Sequence, residues 1–323
     1  MNVTALSSSL PKSNLARSIG LALLILVTSI LLLAPLLTYP LYLIKILCFV
    51  LFAAAFNLVL GYAGLLSFGH AAFFGGGAYI AAHAAKVWQL PFELAILAGT
   101  AFATIVGFIF GAIAIRRHGI YFAMITLALA QMIYFLAVQM PFTGGEDGIQ
   151  SVPRGYLLGI VNLENITAMY YTVLGGTALG LVIIWRTVNS PFGHTLSAIR
   201  ENETRVISLG LKPERYKLIA FTLSAALSGF AGSMKAIAFQ LASLVDVTWH
   251  MSGEVILMTL LGGMGTLIGP IVGATVVVGL EHFLATSGLP ITFIIGLFFV
   301  VCVMMFRRGV FGELKHFLQR RQA

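Results

Sequence analysis

Between residues 19 and 306 the chain repeats one pattern, apolar runs of membrane-crossing length joined by short polar links. A helix needs about 20 apolar residues to cross a hydrocarbon layer of roughly 30 Å. Runs of that kind lie at 19–37, 41–60, 65–85, 94–115, 120–140, 168–185, 218–239, 253–280 and 290–306. With 59% hydrophobic and only 9% charged residues, the polar surface is too small to cover a water-soluble core. A soluble globular domain is therefore excluded. The expected fold class is an all-α polytopic membrane protein with about 8 to 10 transmembrane segments. The membrane domain occupies 19–306, between polar tails at 1–18 and 307–323. Lys12 and Arg17 before the first run resemble a secretory signal, but LAPLLTYP lacks a small-residue cleavage site and a second run follows at once. That run is expected to be the first membrane helix.

A net charge of +8 invites a nucleic-acid reading, yet the basic residues sit at the ends of apolar runs rather than on one soluble face. They report topology. Starting inside and alternating, fifteen of the nineteen basic residues fall on the cytoplasmic side, including Arg116, Arg117, the six between 186 and 217, and those of both tails. Nine full crossings would nevertheless leave the basic C-terminus outside. The conflict is resolved at 253–280, where LGGMGTLIGP interrupts the run and leaves flanks too short to cross. This segment is expected to be a broken or re-entrant hairpin, and both tails to be cytoplasmic.

A second glycine-rich stretch, NLVLGYAGLLSFGHAAFFGGGAY at 57–79, takes the matching place in the first half. Interrupted helices in two related halves point to a central pathway, since free backbone groups at membrane depth survive only inside protein or along a cavity. Close helix packing through small residues is the other reading of the same glycines. Pathway candidates are Asn57, Gly64, Ser67, His70, Thr126, Glu254, Gly262, Gly263 and Gly265. For Asn57, Ser67, His70 and Thr126 the competing reading is a hydrogen bond between helices. Lys45, Lys86 and Lys235 lie near run ends and are expected to snorkel to the interface. Glu281 and His282 read as interfacial.

The long polar segment at 186–217 stands apart. Ser190 is placed to cap a helix, Pro191 to open it, and Gly210 with Pro213 to close it. At helical pitch Leu196, Ile199, Val206 and Ile207 form a narrow apolar stripe with Glu203 in its middle, while Arg200, Glu201 and Arg205 face elsewhere. Such a stripe suits a groove on another protein; an ordinary solvated loop is the alternative. Pro213 and Glu214 open the next helix, which enters the membrane directly. The loop at 141–167, with FTGGEDGIQSVPRG, is expected on the outer side; its acids lack EF-hand spacing.

Several chemistries lack their signatures. There is no G-x-x-x-x-G-K-[ST], so the chain does not itself cradle ATP. None of the eleven acids sits clearly mid-run, which argues against an ion-coupled carrier. Ser67 and His70 lack a nucleophile elbow, so no enzyme is indicated and no catalytic residue is assigned. Cys48 and Cys302 have no motif spacing, and no metal or cofactor is expected.

GYAGLLSFGHAAFFGGGAY, RRHGIYFAMITLALAQ with TGGEDG, SPFGHTLSAIRENETRVISLGLKPERYKLIAFTLSAALSGFAG and LGGMGTLIGPIVGA resemble, in this order, the LivH/LivM permeases of ABC importers for branched-chain amino acids, the LivM branch in particular. The resemblance runs from about Phe52 to Phe306. It implies a permease subunit of the bacterial inner membrane that passes branched-chain amino acids inward. A second, LivH-like permease, two cytoplasmic ATPases that bind the ATP, and a periplasmic amino-acid-binding protein would complete the assembly. It further implies that Ser190, Leu196, Ile199, Arg200, Glu201, Asn202, Glu203, Arg205 and Gly210 serve ATPase coupling, and that Glu146, Asp147 and Arg154 meet the binding protein. Half-helix N-termini near Gly64 and Gly265 would face the amino-acid carboxylate. A family member for urea, short amides or an aromatic acid, and a self-sufficient secondary transporter, remain as alternatives.

Overall fold

The computed structural model describes residues 32–36, 38–285, 294, 296, 297, 300 and 304. Both tails, most of the first and last apolar runs, and Cys302 lie outside the described residues. Among the described residues eight apolar helices make the body: α1 (Pro40–Asn57), α2 (His70–Lys86), α3 (Phe92–Ala114), α4 (Ile120–Gln139), α5 (Ile166–Val188), α8 (Pro213–Phe239), α9 (Trp249–Gly262) and α10 (Gly269–Ala285). Between α5 and α8 lie two short helices, α6 (Pro191–Glu201) and α7 (Glu203–Ser208). A π-helical turn, Leu58–Tyr62, prolongs α1.

Burial sorts these helices. In their most apolar windows, α1 is 78% buried and α8 67%, against 33%, 28% and 28% for α3, α4 and α5. The first two form the centre with α2; the other three form a perimeter whose outward residues, such as Ile105, Phe108, Met124, Phe135, Leu179 and Val182, are exposed and apolar. A helix apolar on all sides belongs inside, and one apolar outward in a membrane protein meets lipid.

The centre is held by close backbone approach. A Cβ on Gly77 of α2 would lie 2.8 Å from Gly229 Cα of α8, so neither helix can retreat to ordinary spacing without opening a void. Ser233 donates from its hydroxyl to Gly77 O (3.1 Å) and Gly229 O (2.7 Å), closing the seam. Gly75 and Gly76 likewise pack, against Val247 and Phe102. The FGGGAY glycines are thus packing residues, the reading that the pathway reading competed with.

The run at 253–280 is a helical hairpin, as its glycines foretell. At 1.5 Å per residue, α9 and α10 reach only about 21 and 25 Å. Their arms touch through backbone: a Cβ on Gly262 would strike Gly269 O, and one on Gly273 would strike Met258 O. The tip turns at Gly263 (φ 113°) and Gly265 (φ 78°), values that glycine alone adopts freely. The matching interruption in the first half falls at 63–69, between the π-helical turn and α2. Starts are set by proline at the first turn of α1, α6 and α8.

At the far end from α6, the loop at 141–167 carries two small antiparallel ladders. Ile149–Gln150 pairs with Leu241–Ala242, and Tyr156–Leu157 with Val161–Asn162. Arg154, expected to meet a partner, is instead 8% exposed and donates to Ala238 O (2.8 Å) and Glu164 O (3.2 Å). It fastens the loop to α8. Glu146 and Asp147 remain exposed.

Candidate functional site

The two interruptions, far apart in sequence, meet in space. Asn57 at the end of α1 donates from Nδ2 to Thr266 O (2.8 Å) and accepts at Oδ1 from Gly265 N (2.9 Å). One amide side chain thereby satisfies both a donor and an acceptor of the hairpin tip, groups that would cost about 1–3 kcal/mol each if left unpaired. Arg200, near the end of α6, donates from Nη1 to Gly61 O in the π-helical turn. Its stem passes Gly64, where a Cβ would sit 3.0 Å from Arg200 Cγ, and its Nη1 passes Gly265 at 3.2 Å from the corresponding point. Gly64 and Gly265 make room for the Arg200 side chain, and Gly61 makes room for the Asn57 amide and Gly265 N between the two helix breaks. Of the predicted residues, Asn57, Gly64, Gly265 and Arg200 thus form one cluster, with Gly262 and Gly263 just behind it.

The other expected pathway residues are held within the protein. Ser67 accepts from Gly69 N (3.1 Å), and Thr126 accepts from Phe68 N (3.2 Å); both shape the 63–69 loop. His70 is fully buried, ringed by Phe56, Phe73 and Phe221 at centroid distances of 4.8–5.6 Å. Ser224 gives its proton to Ala55 O (2.6 Å), so His70 Nε2 donates to Ser224 Oγ (2.9 Å) and Nδ1 has no partner. The N-termini of the broken helices are occupied as well. Ala71 N donates to Ser252 Oγ (3.0 Å) and Gly269 N to Thr266 Oγ1 (3.0 Å). The two helices start at His70 and Gly269 rather than near Gly64 and Gly265, and those first-turn donors already have protein partners, contrary to the expectation of open dipole ends.

Beside the 63–69 loop lies an open groove of about 470 Å³. Leu65, Leu66, Phe68, Phe122, Met124 and Leu127 give it apolar walls, with Gly64 and Gly119 at its rim.

The polar segment is two helices rather than one. Asn202 leaves helical geometry (φ −156°, ψ 95°), ends α6, and caps α7 by accepting from Arg205 N (3.0 Å). Ser190 caps α6 as expected, accepting from Gly193 N (3.4 Å), and Gly210 turns with φ 81°. The apolar stripe does not wait for a foreign groove. Leu196, Ile199 and Val206 are 0–3% exposed within this chain, Leu196 in a cluster with Val59, Ala63, Leu65 and Phe221. Only Ile207 of the stripe is exposed. Glu203 is bound to Lys217 of α8 through both carboxylate oxygens (2.7 Å each) and approaches His118 Nδ1 (3.7 Å). Among the exposed residues of this segment are Ala198, Arg200, Glu201, Asn202, Thr204, Arg205, Ile207, Ser208 and Leu209.

A second charged group lies toward the opposite end. Lys45 donates to Glu281 Oε2 (2.9 Å), and Lys235 pairs with Asp246, which is 2% exposed. Lys235 Nζ also lies 5.6 Å over Phe74 and 5.8 Å over Phe49. Both lysines hold carboxylates; Lys45 stays about one-third exposed, compatible with an interfacial position, whereas Lys235 is mostly covered. Lys86 donates to Gln150 O (2.7 Å) in the end loop, which is closer to the expectation. Glu254 is half-buried on α9. Asp246 escapes a reading of the apolar runs because it lies in a connecting turn; the signal was Lys235, a cation within an apolar helix that requires a counter-charge.

Residues 40–307 match the family model for the permease component of branched-chain amino acid transport systems. The chain is 30% identical over 253 residues to the high-affinity branched-chain amino acid transport system permease protein LivM of Escherichia coli K12, covering 71% of this chain and 60% of that protein. It is 31% identical over 254 residues to the LivM protein of Salmonella typhimurium LT2, with 71% and 60% covered. It is 28% identical over 180 residues to the ribose import permease protein RbsC of Bacillus subtilis 168, covering 50% and 51%. The match thus spans 60% of the length of each LivM relative. No solved structure matches the chain.

Proposed function

Because the chain belongs to the family of permease components of branched-chain amino acid transport systems, we propose that it is one of two membrane subunits of an ATP-driven importer for branched-chain amino acids. The observation that carries this reading is the family match over 40–307, which takes in every helix from α1 to α10. The second membrane subunit is LivH-like, two cytoplasmic ATPases bind and hydrolyse the ATP, and a binding protein on the outer side delivers the solute. In this arrangement the α6–α7 end faces the cytoplasm, supported by the basic residues around it. The loop with Glu146 and Asp147 faces outward. ATPases dock on the exposed edge made by Glu201, Asn202, Arg205 and Leu209, whereas Leu196 and Ile199 belong to the permease's own core.

The solute passes between the two membrane subunits along walls such as the groove beside 63–69. Those apolar walls accept a branched hydrocarbon side chain and leave the hydroxyls of a sugar without partners, which favours the LivM-like substrate over a ribose-like one. Contacts in the groove are weak, so release inward is not hindered.

The test is gentle purification of the full chain from its native membrane, followed by identification of the proteins that accompany it. A second permease and ATPase subunits are expected with the wild-type chain. The double reversal Glu201→Lys and Arg205→Glu should reduce ATPase recovery by about tenfold, the scale of losing a few charge-assisted contacts. Unchanged recovery after the reversal removes the docking assignment, and purification with no ATPase at all removes the proposed function.

A further inference from the structure

Arg200 is exposed, yet the hydrogen bond of its guanidinium runs inward, away from the outer edge. Among the described residues its neighbours Glu201 and Arg205 have no side-chain hydrogen-bond or ion-pair partner, whereas Arg200 donates inward to Gly61 O and lies against Gly64 and Gly265. The acceptor belongs to a π-helical turn. In such a turn the usual ladder of i to i−4 bonds is shifted, and carbonyls are left available for other donors. The hairpin tip is joined to the same turn through Asn57, so α1, the tip at Gly265 and Thr266, and α6 share one junction.

We infer that Arg200 is a strut that carries displacement of α6 into the α9–α10 hairpin, and is a positioning residue rather than a contact for the ATPase. The inference rests on the proposed function for the origin of the displacement, though not for the strut itself. Two attachments make it work. Glu203 binds Lys217, which is 4% exposed, and so ties α7 to the start of α8; Arg200 ties the end of α6 to the hairpin tip. Because Leu196, Ile199 and Val206 are buried in the same chain, α6 and α7 cannot rock freely on the surface. A push on their outer edge is passed on at those two points. The hairpin is the more yielding recipient, since its arms are short and its tip turns on glycines at φ 113° and 78°.

The choice of side chain follows from the geometry. The arginine stem passes Gly64 while its planar, permanently charged guanidinium lies beside Gly265 and donates to Gly61 O; an ammonium has the charge but not the planar bulk beside Gly265. Gly64→Ala and Gly265→Ala are predicted to act like loss of Arg200. Each adds a Cβ 3.0–3.2 Å from the arginine side chain, at positions with φ 72° and 78°.

The experiment reads the strut directly in the full chain. Cys48→Ala and Cys302→Ala provide the background, and spin labels are placed through Ser208→Cys on α7 and Met264→Cys at the exposed tip. Pulsed dipolar spectroscopy in lipid nanodiscs is expected to give one narrow distance. Arg200→Ala should broaden it, Arg200→Lys should restore part of the narrow component, and Arg205→Ala, on the outward edge, should leave it unchanged. In the complex purified with its partner subunits, Arg200→Ala should keep the ATPases bound and lower solute uptake per ATP hydrolysed by about tenfold, the scale of one charge-assisted hydrogen bond. An unchanged distance distribution in Arg200→Ala overturns the strut and leaves the proposed function standing. A broadened distribution with uptake per ATP unaltered also overturns it, because the link would then carry nothing. Loss of the ATPases in Arg200→Ala returns the residue to a docking role and likewise overturns the inference.

Discussion

Lys235 sits four residues from the end of α8, close enough to reach water, and turns instead to Asp246 beneath the rings of Phe49 and Phe74. A buried ion pair gains little over a well-packed apolar pair, yet removing one partner strands the other charge at a cost of about 3–5 kcal/mol. Lys235→Met should therefore lower the thermal unfolding midpoint of the detergent-solubilised chain markedly. Adding Asp246→Asn should recover most of the loss, because an amide carries no stranded charge. A double variant no better than the single one removes the pair as the cause. The sequence makes the cation visible and hides its partner. Asp246 lies eleven residues on, in a connecting turn where no helical period links the two. The anchoring of Arg154 is hidden for the same reason, since its acceptors are backbone carbonyls at 164 and 238, which no side-chain pattern announces.

At the level of helices, breaks were easier to foresee than neighbours. Prolines at the first turns and glycines at 262–265 mark where helices start and fail, through fixed φ and absent Cβ respectively, and the hairpin follows from arms too short to cross. Which face of a helix is covered is legible too, but not by what. The stripe Leu196, Ile199 and Val206 has the pattern of a buried face, and periodicity alone does not say whose groove it fills. The hairpin gives the sharper prediction. Gly262→Leu places a side chain where Gly269 O and Gly273 N already lie, so the arms must part and Asn57 loses its two bonds to the tip. The spin-labelled distance from α7 to the tip should lengthen or scatter. An equivalent exposed change, Ala198→Leu, should leave it as it was. If Gly262→Leu preserves the distance, the close approach of the arms is not what seats the tip.

Across the whole molecule, the decisive contacts join segments some two hundred residues apart, Asn57 with Thr266 and Lys45 with Glu281 among them. Such pairings depend on how the helices stack, and a single sequence offers no trace of them beyond the presence of unmatched polar groups in apolar runs. The two polar regions also differ in their access to solvent: Asp246 is buried and Lys235 mostly covered by aromatic rings, whereas Glu201 and Arg205 stand in the open. Raising ionic strength from about 0.1 M to about 1 M shrinks the screening length from roughly 10 Å to roughly 3 Å, and it acts only where ions can enter. If the proposed function holds, concentrated salt should strip the ATPase subunits from the membrane while the melting temperature of the polypeptide left behind barely shifts. Brine, on this view, is a reagent for dismantling the machine without unfolding its gate.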